Sequence, residues 1–180
     1  FSLADGSLEG FEALLRWQHP EFGLVQPAEF IPLLEETGLI IPVGQWVLQE
    51  ACRQLKEWES RFGGPVTVAV NLSPLQLRYE HLVEDIAGVL RGMDMPSNRL
   101  YLEVTESMMM QDIERGAETM LAIGKLGVKF AVDDFGTGYS SLSYLTRLPV
   151  STLKVDRTFM RDVPSDLNSG KVTQSIVALG

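Results

Sequence analysis

The sequence of 180 residues lacks the features that mark several classes of protein. It has one cysteine, so no disulfide can form within the chain, and we expect a cytoplasmic protein or a cytoplasmic domain of a larger one. Its longest apolar runs, such as residues 39–43, fall far below the ~20 residues of a membrane span. No signal peptide is visible. We therefore expect no membrane contact by this segment.

Positive charge is also scarce. The chain has 15 Lys and Arg against 24 Asp and Glu, a formal net charge of −9. This balance provides no general electrostatic footprint for duplex DNA or RNA. An anionic substrate would therefore need a few placed cations or bound metal ions. The two histidines, His19 and His81, form no zinc pattern.

Strand and helix signals alternate along the chain. Apolar, β-branched runs predict strands at 11–17, 66–72, 100–105, 128–132 and 152–155. Helical spacing and end signals predict helices at 27–37, 47–62, 74–91, 113–124, 140–148 and 169–179. Such alternation is typical of a parallel sheet covered by helices. A doubly wound sheet and a (β/α) barrel both fit, although a full barrel usually needs about 250 residues.

Polar side chains recur in or at the ends of the predicted strands. Carboxyl ends of parallel strands meet in one crevice, so these groups are expected to converge. Oxygen ligands of this kind suit Mg²⁺ or Mn²⁺, and adjacent aspartates can bridge two ions in phosphoester hydrolysis. A nearby lysine can orient water or stabilise negative charge. The residues are Glu12, Asn71, Glu103, Glu106, Asp133, Asp134, Lys154 and Asp156.

Each of these residues has a simpler interpretation when taken alone. A single strand-end aspartate is more often a turn or helix cap than a ligand. Glu106 can simply begin a helix, and Gly136 and Gly138 can belong to an ordinary flexible loop. The metal-site hypothesis therefore depends on the joint pattern.

Several ordered motifs resemble the EAL domain, the bacterial cyclic-di-GMP phosphodiesterase module. They are EALLRW at 12–17, VNLS at 70–73, LEVTE at 102–106, DDFGTGYSSL at 133–142 and LKVD at 153–156. The resemblance implies an α/β fold, a modified (β/α)₈ TIM-like barrel with one antiparallel strand. It also implies that residues 1–180 form a single partial EAL domain, incomplete at both ends, without the first strand and the last two strands of the family.

The resemblance further implies hydrolysis of cyclic-di-GMP to linear pGpG with two Mg²⁺ or Mn²⁺ ions. First-metal ligands would be Glu12, Asn71, Glu103 and Asp133, and second-metal ligands Asp133 and Asp134. Lys154 matches the lysine that contacts the catalytic water, and Asp156 matches a further site residue. Leu14 and Arg16 match substrate contacts, while Glu106 matches a glutamate that steadies the loop at 134–141. Homodimerisation and fused sensory or diguanylate cyclase domains are family expectations.

Three other functions compete with this interpretation. The first is a receptor that binds cyclic-di-GMP without turnover, because the C-terminal part of the site is absent, and the second is a protein-interaction module. The third is another metal-assisted barrel enzyme, such as an enolase-type lyase. The intact set of polar residues argues against loss of catalysis by substitution, and the EALLRW stretch argues against the lyase.

Overall fold

The computed structural model describes residues 1–111, 113–136, 147–156 and 158–159. Among its helices, none is long and apolar enough to cross a membrane. The strands are β1 (Gly10–Ala13), β2 (Trp17–His19), β3 (Gly23–Val25), β4 (Thr67–Asn71), β5 (Leu100–Thr105), β6 (Lys129–Phe135) and β7 (Val150–Val155). The helices are α1 (Pro27–Glu36), α2 (Ile40–Phe62), α3 (Pro74–Leu77), α4 (Leu82–Gly92), α5 (Glu106–Gln111) and α6 (Ile113–Lys125), with a 3₁₀ turn at Ser97–Arg99.

Five of the described strands form one sheet in the order β1-β4-β5-β6-β7. Every neighbouring pair is parallel, which confirms the parallel sheet predicted from the alternating pattern. The order advances in one direction, whereas a doubly wound sheet reverses direction at a switch point. The described strands therefore have the order of a barrel wall.

The core lies between one face of the sheet and the covering helices. Alternate residues of each strand point to this face because side chains in a strand have a period of two. The opposite face includes the polar residues Glu12, Asn71, Glu103 and Asp133. The most buried core residues are Leu48, Cys52 and Leu55 of α2, Ile86 of α4, Leu100, Leu102 and Val104 of β5, Met120 and Ile123 of α6, and Phe130 and Val132 of β6.

The strand predicted over 11–17 is divided in the structure. β1 ends at Ala13, and Trp17 begins an antiparallel hairpin of β2 and β3. His19 Nδ1 accepts hydrogen bonds from the backbone N–H groups of Glu21 and Phe22, at 3.1 and 3.2 Å, and so closes the hairpin turn. Strands of three residues are too short to show alternation in the sequence, which is why the hairpin was not predicted.

The helix predicted over 74–91 is also divided, into α3 and α4. A turn separates them, in which the backbone N–H of Leu82 donates to the carbonyl of Tyr79 at 3.2 Å. Apolar spacing continues across this turn, so the sequence pattern did not show the break. The predicted helix at 169–179 lies outside the described residues, as does the predicted helix at 140–148 except for its last two residues.

Candidate metal and substrate site

Lys154 lies among three carboxylates at the carboxyl end of the sheet. Its Nζ is 2.7 Å from Glu103 Oε2, 2.9 Å from Asp133 Oδ2 and 3.4 Å from Glu12 Oε2. Asn71 Nδ2 donates a hydrogen bond of 2.9 Å to Glu12 Oε1. Each of the five strands therefore contributes one polar side chain to a single cluster, which we call the strand-end cluster.

Strand register explains why these side chains meet. Asn71 and Glu103 are direct partners across β4 and β5. Asp133 lies opposite Thr105, two residues beyond Glu103 and so on the same face of the sheet. Glu12 lies opposite the residue two positions before Asn71, again on that face. The regular pleat alone thus brings four of the predicted residues together.

The adjacent pair Asp133 and Asp134 occupies an irregularity in the pairing of β6 with β7. Two residues of β6 fill the space opposite Lys154, as in a β-bulge, and Asp134 has a φ of 54°, in the left-handed region. The pKa of Asp134 is raised, first by partial burial and then by the charge of Asp133 and a hydrogen bond with Asp156. Asp133 and Asp134 thus both lie opposite Lys154, and Asp134 interacts with Asp133 and Asp156.

Burial and pairing set the charges of the cluster. Glu103 is 4% exposed, and burial raises its pKa although the ammonium of Lys154 opposes the shift. Burial alone would lower the pKa of Lys154, but its hydrogen bonds to Glu103 and Asp133 raise that pKa well above the ordinary value. Lys154 therefore stays protonated and has no lone pair to offer a metal.

The donor set of the cluster fits a cation that prefers oxygen. One carboxylate oxygen each from Glu12, Glu103 and Asp133 lies within 4.8 Å of the others. Asn71 uses its nitrogen to bind Glu12, which leaves its amide oxygen available as an acceptor. Carboxylate and amide oxygens are the ligands of Mg²⁺ and Mn²⁺ rather than of structural zinc.

Glu106 lies at the start of a helix and contacts the segment that follows Asp134. It begins α5, directly after β5, and it is 2% exposed. Its Oε2 accepts a hydrogen bond of 3.0 Å from the backbone N–H of Gly136. In the described structure its Oε1 is buried without a hydrogen-bond partner. Glu106 thus fixes the start of the segment that follows Asp134, of which only 134–136 and not 137–141 is described.

Leu14 and Arg16 follow β1 at the rim of the site. Both are exposed, and Arg16 Nη1 donates to the carbonyl of Leu15 at 2.7 Å. They line a cavity of about 270 Å³ that also includes Asn71 of the strand-end cluster and Pro27 of α1. The two predicted substrate residues therefore border one cavity together with Asn71, one of the predicted metal residues.

Thr158 is a residue that the sequence reasoning missed. Its backbone N–H donates to Asp156 Oδ1 at 2.8 Å, and its hydroxyl contacts the same oxygen. This hydrogen bonding orients the Asp156 carboxylate, which also interacts with Asp134. The spacing of an aspartate two residues before a threonine is a common turn signal that points to such a contact.

Comparison with known proteins places this geometry in a family. The family model described as EAL domain matches residues 1–180. Two relatives come from Pseudomonas aeruginosa. The bifunctional diguanylate cyclase/cyclic di-GMP phosphodiesterase MucR is 45% identical over 176 residues, which are 98% of this chain and 26% of MucR. The cyclic di-GMP phosphodiesterase NbdA is 40% identical over 178 residues, which are 99% of this chain and 23% of NbdA.

A solved structure gives the same result for the fold. The structure titled PaMucR phosphodiesterase, c-di-GMP complex, aligns with a TM-score of 0.87 and 46% identity, covering 94% of this chain and 68% of that one. The described strands are therefore part of a TIM-barrel-like fold, as predicted. This chain spans about a quarter of the length of the two curated relatives. It belongs to the EAL domain family.

Proposed function

We propose that this chain carries the catalytic site of a metal-dependent phosphodiesterase that hydrolyses cyclic-di-GMP to linear pGpG. The observation that supports this most is the strand-end cluster, in which three carboxylates, an amide and a lysine meet. Relatives named cyclic di-GMP phosphodiesterases and a relative's complex with c-di-GMP support the substrate.

In this proposal the cluster holds two divalent cations, Mg²⁺ or Mn²⁺. Glu12, Asn71, Glu103 and Asp133 bind one, and Asp133 with Asp134 binds the other. When bound, such ions lower the pKa of a water molecule and offset the charge of the phosphate. The bulge of β6 supports the shared role of the aspartates, because it places two consecutive carboxylates opposite Lys154.

The proposed reaction is water attack on one phosphodiester. A bond forms between the water oxygen and phosphorus, the bond from phosphorus to the 3′ oxygen breaks, and that oxygen takes up a proton. Lys154 orients the attacking water and stabilises negative charge as it develops at phosphorus. Arg16, at the rim of the cavity, contacts a phosphate of the substrate, and Leu14 packs against the nucleotide.

Two further residues act by positioning. Glu106 holds the backbone at Gly136 and so fixes the segment that follows Asp134. Asp156, held by Thr158, shares a hydrogen bond with Asp134 and limits its movement. Both roles keep the second carboxylate of the β6 bulge directed at the site.

The domain organisation is part of the same proposal. Residues 1–180 form one EAL domain region of a longer protein, which acts as a homodimer. The relatives are multidomain, since the name of MucR includes a diguanylate cyclase and the chain covers 26% of it. A fused sensory or cyclase domain is therefore the expected source of regulation, and the cytoplasmic location stays a prediction.

Chromatography of cyclic-di-GMP incubated with the purified protein and Mg²⁺ or Mn²⁺ tests this proposal. We expect pGpG from the wild type and none from Glu12→Ala. The matched control is Glu9→Ala, which removes an exposed carboxylate three residues earlier. The control should retain wild-type turnover.

Three results would contradict the proposal. Equal pGpG formation by the wild type and Glu12→Ala would show that the strand-end cluster does not carry the reaction. A folded wild type that binds cyclic-di-GMP with metal but releases no product would instead support the effector function. Binding of neither nucleotide nor metal would favour an interaction module.

A further inference from the structure

The position of Asn71 depends on the few residues that follow it. Asn71 is the last residue of β4, and its pairing partner in the sheet is Glu103 of β5. One more ladder bond follows, from the backbone N–H of Leu72 to the carbonyl of Glu103 at 2.9 Å. Beyond that bond, the segment at 73–77 decides where the end of β4 lies.

Two buried polar side chains hold this segment. Ser73 and Gln76 are 7% and 5% exposed. Gln76 Oε1 accepts a hydrogen bond of 3.1 Å from the Ser73 backbone N–H, and the Gln76 N–H donates to Ser73 Oγ at 3.3 Å. We call this pair the Ser73–Gln76 box. A helix of four residues such as α3 is not stable by itself, so the box rather than the helix fixes the turn.

Helix α2 contacts the box through a glycine. A Cβ placed on Gly44 would lie 1.9 Å from Gln76 Nε2 and 2.8 Å from its Cδ. Only a residue without a side chain lets the Gln76 amide lie against the α2 backbone at this position. Gly44, Gln76 and Asn71 also border the same cavity of about 270 Å³.

We infer that Gln76, seated against Gly44, is a positioning residue that sets the Asn71 amide for metal binding. This inference rests on the proposed function. Gln76 acts through Ser73 on the end of β4 and does not itself contact the cluster. Loss of its side chain leaves the buried Ser73 N–H without a partner, and the turn then relaxes away from β5. The amide oxygen of Asn71 moves with it, away from Glu103 and Asp133.

Calorimetric titration with Mn²⁺ alone measures the effect on the site. Outer-shell partners of metal ligands commonly contribute 10–100-fold in affinity, so Gln76→Ala should weaken Mn²⁺ binding at least ~10-fold. Gly44→Ala should have a similar effect, because its methyl group displaces the Gln76 amide. The double variant should bind no more weakly than Gln76→Ala, since the displaced group is already absent.

A second measurement separates positioning from general loss of stability and needs no metal. The Asn71 side-chain amide resonance, assigned by its loss in Asn71→Asp, should shift in Gln76→Ala and in Gly44→Ala. It should stay unchanged in Ile86→Val, a core substitution on α4 that also lowers stability. Ile86→Val should likewise retain the Mn²⁺ affinity of the wild type.

The outcomes distinguish this inference from the proposed function. An unshifted Asn71 amide and an unchanged Mn²⁺ affinity in folded Gln76→Ala would overturn the positioning role of Gln76. Additive losses of Mn²⁺ affinity in the double variant would show that Gly44→Ala does not act through the Gln76 amide. A wild type that binds no Mn²⁺ would overturn the proposed metal site. The amide resonance would still report whether Gln76 positions the Asn71 side chain, because that measurement needs no metal.

Discussion

The two faces of strand β5 carry opposite chemistry. Leu102 and Val104 point into the core and are 0% and 1% exposed. Glu103, between them, is buried almost as completely on the other face, where it meets Lys154 at 2.7 Å. The apolar face needs only packing, whereas the polar face needs a specific partner because an unpaired buried carboxylate is costly.

This difference separates stability from function within one strand. The apolar face joins β5 to helices through a continuous core, so its residues determine the free energy of unfolding. On the polar face, carboxylates from three strands surround the ammonium of Lys154, and the Asn71 amide contacts one of these carboxylates. The charge and position of these groups determine what the site can bind. Substitutions on the two faces should therefore have separable effects.

The largest effect on activity is expected from Asp133→Asn. Asp133 contacts Lys154 and is proposed to bind both cations, so loss of its charge should reduce pGpG formation below detection. Chromatographic assay with Mn²⁺ measures this. Asp94→Asn changes an exposed aspartate outside the cluster and should keep full activity. Substantial turnover by Asp133→Asn would show that the proposed ligand set is wrong.

Lys154→Met should separate binding from chemistry on the polar face. Because Lys154 is protonated and not a ligand, Mn²⁺ affinity should stay equal or increase. Turnover should fall by about 10²–10³-fold, the usual cost of losing a group that stabilises charge in the reaction. Calorimetry and initial rates measure the two quantities. Lys129→Met, a substitution at an exposed position of β6, is the control. An equal fall in its rate would show that the effect of Lys154→Met is not specific to the site.

On the apolar face, Leu102→Ala should act on stability. Removing a fully buried leucine typically costs about 2–5 kcal/mol in the free energy of unfolding. Urea denaturation followed by circular dichroism measures this, with Leu121→Ala, at a 43% exposed position on α6, as the matched control. Mn²⁺ affinity of the fraction that remains folded should be unchanged. A loss of affinity there would mean that the two faces are not separable.

The smallest effect is expected at Cys52, in the core between the helices and the sheet. Its side chain is fully buried, and burial raises the pKa of the thiol to about 11. At pH 7 a thiol reagent should therefore react with the protein only after unfolding in urea. The reagent is one that releases a chromophore when it reacts with a thiol, and the absorbance of that chromophore measures the reaction. Rapid labelling of the native protein would show that this part of the core opens readily.

Much of this comparison could be predicted from the sequence. The apolar runs at 66–72 and 100–105 predicted buried parallel strands, and polar residues at their ends predicted a common site. The β6 bulge could not be predicted, because nothing in the run of Asp133 and Asp134 shows how β7 pairs with it. Nor could the contact between Gly44 and Gln76, which depends on how α2 packs against the end of β4.

Removal and return of metal tests the central claim most directly. The wild-type protein would be stripped with EDTA, dialysed and assayed with cyclic-di-GMP before and after Mn²⁺ is restored. We predict no pGpG from the stripped protein and full turnover after restoration, with no recovery in Asp133→Asn. Hydrolysis that continues without metal, or that returns in Asp133→Asn, would contradict the assignment of the strand-end cluster as the metal site.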